Sequence, residues 1–258
     1  MAILKAFGGE RSAWGLTELA QELALNKTTV FRLLGALERE GMLTRDRQRD
    51  VYRLGPELIV LGAHALRSAD LREAAHDQLE ILAERTGESA TLEILAGDDT
   101  LILDEFLGRF RLGGSAEIGT RWPAHATSTG KVLLAAARQQ GCALPARLEA
   151  RTPRTITSRT RLERELAHVA QQGYAVAMEE LEPGFVAIGA PIHNHEGRVI
   201  AALSIGGPTG RVAADHIAHL GALVRSAADE VSRRLGAAPS MLWGSGRNGA
   251  PRRTRSAG

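Results

Sequence analysis

The sequence predicts an α+β protein of two domains, in which an N-terminal winged helix-turn-helix is joined by a linker helix to a larger mixed domain. Three observations carry that expectation. The 258 residues exceed what one helix-turn-helix needs and are enough for two buried cores. Residues 1–55 show helical apolar spacing that ends in a polar-tipped hairpin. From Ser89 onward, short apolar runs alternate with helical patterns, as expected when helices cover an antiparallel sheet.

Composition excludes several classes. Hydrophobic residues at 44% and charged residues at 24% are globular values, so neither a disordered chain nor a fibre is expected. No apolar run reaches the roughly 18 to 20 residues of a membrane span, and the single Cys142 rules out an intrachain disulfide framework. A cytoplasmic protein with no membrane partner is expected. Net charge is only +2, so distribution has to decide about nucleic acid. Residues 1–53 hold nine Lys/Arg against seven Asp/Glu, and residues 237–258 hold four Arg and no acid, which leaves the body between them acidic.

In the first domain, residues 1–55, Leu16, Leu19, Ala20 and Leu23 share a helical face, with Thr17 as the expected N-cap. After the link Ala24-Leu25, Asn26 caps a second helix, Lys27–Arg39, whose apolar face reads Val30, Leu33, Leu34 and Leu37. Helix, tight turn and helix form the motif whose second helix enters the major groove of double-stranded DNA. Its leading residues Lys27, Thr28, Thr29 and Arg32 offer a phosphate cation, two hydroxyls and a guanidinium suited to guanine. Phe31 either packs on the preceding helix or touches a thymine methyl. Gly41 stops the helix, and two short strands follow around a polar tip. Arg45, Arg47, Arg49 and Arg53 make that hairpin a wing for phosphate or a narrow minor groove, although Asp46 and Asp50 dilute its charge.

Pro56 opens a linker helix over residues 56–70, with Leu58, Leu61 and Ala65 at helical spacing and a break expected near Ser68–Asp70. The second domain, residues 71–236, begins with Leu71, Ala75, Leu79 and Leu82 on one helix face. Strands are expected at Ala90–Ala96 and Leu101–Phe106 around the turn Gly97-Asp98-Asp99. Further strands are expected at Tyr174–Ala177, Phe185–His193 and Val199–Gly206. Helices are expected at Ser128–Arg138, at Thr160–Gln172 behind a Thr160 to Glu163 capping box, and at Ala213–Leu235. Residues 237–258, rich in Gly, Ser, Pro and Arg, read as a disordered basic tail.

Five signatures now stand in order: LTELAQELALNKTTVFRLLGALEREGML, YRLGPELIVLG, HATSTGKVLLA, RTPRTIT and GYAVAMEELEPGFVAIGAPIHNHEGRVIAALSIGGP. Over residues 2–236 the chain resembles the IclR family of transcriptional regulators. The resemblance implies a winged helix-turn-helix, a linker helix and a GAF-like or profilin-like sensor domain, assembled as a homodimer or homotetramer. It implies a DNA-binding regulator, repressor or activator, whose operator binding responds to a small-molecule effector, with no cofactor and no catalysis. The alternative is a sensor with a degenerate DNA domain that acts through protein partners.

Three departures from the family pattern stand out. The first helix is short, at Met1–Phe7. Ala24 replaces the usual glycine of the tight turn, at about 1 kcal/mol if its φ is positive. The third departure concerns the effector pocket, where family carboxylate sites match Ser128, Thr129, Ala177, Ala187, Ser204 and Gly206; here the acid and the Cys of those sites are alanines and one Ser is glycine. That implies a larger, less polar pocket for an aromatic or apolar metabolite, with Gly130 and Ile188 beside it and Glu179 or Glu180 as a substitute acid.

Ser128-Thr129-Gly130-Lys131 lacks the glycine spacing of a phosphate loop, so its expected role is a helix start whose N–H groups face the effector. Lys131 is expected to be solvated or paired. His193 with His195 and His216 with His219 lack a third metal ligand. Ser128, Cys142 and His125 show no nucleophile elbow, which argues against a hydrolase.

Overall fold

The computed structural model describes residues 1–8, 11–67, 70–109, 117–212 and 216–242, and the chain divides into two compact units, Met1–Ala69 and Asp70–Gly258. The first unit runs α1 (Ala2–Ala6), β1 (Trp14–Gly15), α2 (Leu16–Glu22), α3 (Lys27–Arg39), β2 (Leu43–Asp46), β3 (Val51–Leu54) and α4 (Glu57–Arg67). Ile3, Phe7, Leu19, Ala20, Val30, Leu34, Leu43 and Tyr52 form its core. Each such aliphatic side chain, fully buried, contributes about 1.5 to 3 kcal/mol.

Two sequence expectations change here. α2 starts at Leu16, with Gly15 as its N-cap, so Thr17 is an exposed first-turn residue and not the cap. The Glu18 carboxylate accepts the Gly15 N–H at 3.1 Å and so does the capping work. Leu33 is 44% exposed, because Val30 and Leu34 already point into the core and Leu33 lies past the edge of that face. The short strand β1 was not legible: Trp14 lies opposite Tyr52 and completes a three-stranded sheet in the order β1-β3-β2.

The ends of α2 and α3 share one hydrogen-bond pattern. Leu25 N–H donates to the Ala20 carbonyl and Ala24 N–H to Gln21; Met42 N–H donates to Leu37 and Gly41 N–H to Glu38. This double closure needs a left-handed residue at its centre. Gly41 supplies it at φ 68°, and Ala24 is forced to φ 51°.

The second unit contains α5 (Asp70–Thr86), β4 (Ser89–Ala96), β5 (Asp99–Phe106), β6 (Arg121–Pro123), α6 (Ser128–Gln139), α7 (Arg159–Gln172), β7 (Ala175–Met178), β8 (Phe185–His193), β9 (Val199–Pro208) and α8 (Ile217–Arg234). Among the described residues the strands form one antiparallel sheet, ordered β6-β5-β4-β9-β8-β7. α6 and α7 cover one face, through Val132, Leu133, Leu162, Leu166 and Val169 against Ala175 and Ala202. α5 and α8 pack on β4, β5 and β8 from the other side.

α7 begins one residue earlier than expected, because Ser158 and not Thr160 accepts the capping bond from Arg161 N–H. The expected start of the last helix at Ala213 and the linker break at residues 68–69 lie outside the described residues. Of the expected tail, residues 237–242 include a buried Ala237 and a 3-10 turn at Pro239–Met241; residues 243–258 lie outside the described residues.

Candidate DNA-reading surface and ligand site

In the first unit, burial of Val30 and Leu34 fixes the rotation of α3 about its axis. Thr28, Phe31 and Arg32 then fall on an exposed stripe turned away from the core, with Thr29 beside them, and Lys27 is exposed as the first residue of the helix. The Asn26 carboxamide accepts the Thr29 N–H at 2.7 Å and defines where the helix begins. Phe31 is 54% exposed, which removes the reading in which it packs on the preceding helix.

The wing lies at the end of β2 and β3. Arg47, Arg49 and Arg53 are exposed. Arg45 is held differently: its guanidinium bonds Asp50 at 2.5 Å and lies 5.4 Å from the centre of the Tyr52 ring. Asp46 accepts the N–H groups of Gln48 and Arg49 and shapes the tip. The acidic residues that dilute the wing's charge are therefore its turn-formers.

In the second unit, the expected ligand residues separate by sheet face. A Cβ on Gly189 would stand 3.0 Å from Thr129 N and 3.1 Å from Ser128 Oγ, so the first turn of α6 rests on β8 at this glycine. Register then places Ala187 and Gly189 of β8, Ala177 of β7, and Ser204 and Gly206 of β9 together beneath α6. Ile188 alternates to the opposite face, paired with Ile205, and is not part of this group.

Three further residues are placed differently from expectation. Gly130 N–H is taken by Thr127 Oγ1, and a Cβ there would meet the Ala124 carbonyl oxygen at 2.0 Å; Gly130 is a packing residue with no N–H to offer. Glu179, at φ 55°, accepts Gly184 N–H and pairs with Arg154, so its carboxylate closes its own loop. Gly206 adds no room, because the Phe185 ring comes within 2.7 Å of where its Cβ would be.

Lys131 is 1% exposed, and its ammonium reaches Glu180 at 2.6 Å, Glu165 at 3.0 Å and the Val176 carbonyl at 2.9 Å. Burial pushes the Glu180 carboxyl above the usual carboxylate range, against the pull of Lys131. Thr152 and Thr155 donate to the carbonyls of Glu179 and Glu180, each at 2.6 Å. The RTPRTIT signature thus clamps the turn that presents Glu180 to Lys131.

Sequence reasoning missed Thr91, Glu93 and Phe185. Glu93, 2% exposed, receives Thr91 Oγ1 at 2.8 Å on one carboxylate oxygen and Thr129 Oγ1 at 2.7 Å on the other. Thr91 also lies 2.8 Å from Ser204 Oγ. Burial raises the Glu93 carboxyl above its ordinary range, and the hydroxyls of Thr129, Thr100 and Thr91 oppose that rise. The available signal was two polar residues alternating on one face of the apolar run Ala90–Ala96. A separate cavity of about 290 Å³, walled by the Glu88–Arg211 ion pair, His219 and Leu223, contains none of the expected ligand residues. Among the described residues no group of three or more His, Cys, Asp or Glu is arranged to hold a metal.

Both units match known protein domains. Residues 1–47 match the IclR helix-turn-helix domain, and residues 63–233 match the bacterial transcriptional regulator IclR C-terminal domain. The HTH-type transcriptional regulator XynR of Escherichia coli K12 is 34% identical over 241 residues, covering 92% of this chain and 95% of XynR. The crystal structure of an IclR regulator from Silicibacter superposes with a TM-score of 0.80 at 28% identity, covering 93% of this chain and 96% of that one. An IclR homologue of Microbacterium hydrocarbonoxydans, crystallised with 4-hydroxybenzoate, superposes at 0.76 with 29% identity and covers 91% of this chain and 96% of its own. A winged unit with an exposed basic stripe, followed by an α+β unit of matching topology and sequence, places the chain in the IclR family of helix-turn-helix transcriptional regulators.

Proposed function

We propose that the chain binds an operator in double-stranded DNA through α3 and the wing, and that a small aromatic effector at the α6–sheet junction modulates this binding. The observation that carries the DNA reading is the exposed stripe of α3. Thr28, Phe31 and Arg32 share it, Lys27 is exposed at the start of the same helix, and a 54% exposed Phe between these cations has a use at a thymine methyl. Thr17 and Thr29 supply hydroxyls for phosphate, and Arg47, Arg49 and Arg53 follow the backbone from the wing. Arg45 acts chiefly as a brace for the hairpin. Exposed Ile59, Val60 and Leu61 on α4 suit self-association into a dimer or tetramer. The reading assigns no catalytic role and a cytoplasmic location.

Support for an aromatic effector comes from small side chains at Ala177 and Ala187, an aromatic wall at Phe185, and hydroxyls at Ser128 and Ser204. The Microbacterium homologue holds 4-hydroxybenzoate. Two experiments test the proposal. A salt-dependent gel shift on DNA upstream of the chain's own gene should show specific protection that Lys27→Ala/Arg32→Ala abolishes, and Lys27→Ala alone should lower the log–log salt slope by about 1. No specific protection at moderate salt favours the sensor that acts through protein partners. Calorimetry should show 4-hydroxybenzoate binding; tight glyoxylate or pyruvate binding without aromatic binding overturns the effector class.

A further inference from the structure

We propose that Glu93, acting through Thr91, decides whether the Ser204 hydroxyl donates or accepts at the ligand site, so that a ligand presenting an acceptor oxygen binds together with one proton. The inference rests on the ligand site proposed above and adds a rule for what that site accepts.

The hydroxyls of Thr91 and Ser204 form a chain in which each has one proton to give. Thr91 has one hydroxyl proton and two oxygen neighbours, Glu93 Oε1 at 2.8 Å and Ser204 Oγ at 2.8 Å. When Glu93 is ionised it can only accept, so the Thr91 proton goes to the carboxylate. The bond between Thr91 and Ser204 then requires Ser204 to donate. Ser204 has spent its proton and faces a ligand with lone pairs alone. When Glu93 is neutral, with the proton on Oε1, the direction reverses: Glu93 donates to Thr91, Thr91 to Ser204, and Ser204 outward. Thr129 donates to Oε2 in either case.

A carboxylate or carbonyl oxygen at Ser204 needs the second state, and a phenolic O–H suits the first. Burial favours the neutral form of Glu93, and the hydroxyls of Thr129, Thr100 and Thr91 favour the ionised one. Thr91, Glu93, Thr129 and Ser204 are between 1% and 7% exposed, so water does not scramble the order of the relay.

Each element packed around Glu93 presents its own groups to it. β5 contributes Thr100, α6 contributes Thr129, and β9 contributes the apolar Ala202 opposite Glu93. Register puts the further carboxylate Glu105 across from Thr91. Lys131 on α6 is committed to Glu165 and Glu180, and His125 ahead of α6 bonds the Glu149 carbonyl. Asp104 pairs with Arg72 and His76 of α5, on the far face of the sheet.

The test has two arms on the full chain. The first uses no ligand. Infrared titration should show a neutral-carboxyl stretch that is lost in Glu93→Gln and fades as the pH rises. In Ser204→Ala the fading should move to lower pH, because with Glu93 neutral the Thr91 hydroxyl proton loses its acceptor, whereas with Glu93 ionised it keeps its bond to the carboxylate. A band unaffected by Glu93→Gln, or a titration unmoved by Ser204→Ala, overturns the relay.

The second arm is calorimetry with benzoate and phenol in buffers of different ionisation heat. Above the Glu93 pKa, benzoate should take up one proton per molecule bound and weaken about tenfold per pH unit. Phenol should take up none, and in Glu93→Gln the benzoate dependence should flatten. Benzoate uptake unchanged in Glu93→Gln overturns the relay. Failure of both probes to bind, with the infrared result as expected, overturns the aromatic-effector reading and leaves the relay upheld.

Discussion

Replacing Ala24 by glycine should stabilise the DNA-reading unit. Ala24 is exposed, so its methyl group contributes no packing that the change would remove. Its left-handed backbone is a strain of about 1 to 2 kcal/mol for a residue with a Cβ. Glycine relieves that strain and gives back about 0.4 to 1 kcal/mol through the greater freedom of the unfolded chain. The net expectation is about 0.5 to 1 kcal/mol. The chain contains its own control, because the same double closure ends α3, α6 and α8 with Gly41 at φ 68°, Gly141 at φ 85° and Gly236 at φ 86°. Amide hydrogen exchange of α2 and α3 peptides in the intact protein is the assay. Slow, globally exchanging amides in Ala24→Gly should exchange up to about fivefold more slowly, whereas peptides of the second unit should not change. Unchanged or faster exchange in α2 and α3 would refute the strain argument.

Two other outcomes follow from buried charges in the second unit. Lys131→Met should lower stability by about 3 kcal/mol in urea, since it leaves the Glu180 and Glu165 carboxylates facing an uncharged side chain; Lys131→Met combined with Glu180→Met should recover part of the loss. His193 is 2% exposed, and burial alone lowers its pKa from 6.5 to about 4. A depressed folded-state pKa gives stability that is complete above 6.5 and is lost as pH falls towards 4, about 3 kcal/mol over that window; denaturant titrations of His193→Phe should show a flatter slope there.

Much of the fold was legible because it rests on local rules. Short apolar runs between turn residues marked β4, β8 and β9, helical spacing marked α3 and α6, and Gly97, Gly173 and Gly197 punctuated the turns at positive φ. The exposed stripe of α3 was legible for the same reason, since the pattern that buries Val30 and Leu34 also selects what faces out. β1 and β6 were not legible: two or three residues carry no period, and their pairing partners are distant in sequence. The candidate ligand site was legible only as a set of positions. Alternation along β8 sets Ile188 on the face opposite Ala187, and the register with β7 and β9 brings Ala177, Ser204 and Gly206 to the Ala187 face. The roles of Gly130 and Glu179 turn on single contacts, to Ala124 and Gly184, that no spacing encodes. Glu93 was passed over because a carboxylate inside an apolar strand is read locally as an exception, and its partners Thr129 and Ser204 lie far along the chain.

The Lys131 ammonium joins segments 34, 45 and 49 residues away in sequence. An ammonium gains nothing from leaving water until its partners have arrived, and those loops close only after α6, α7 and the β7 strand have come together. The bond set therefore belongs to the last stage of assembly of this half of the sheet. Its loss should leave the rate of folding nearly unchanged and speed unfolding, so that Lys131 governs how long the native sensor unit persists rather than how quickly it forms.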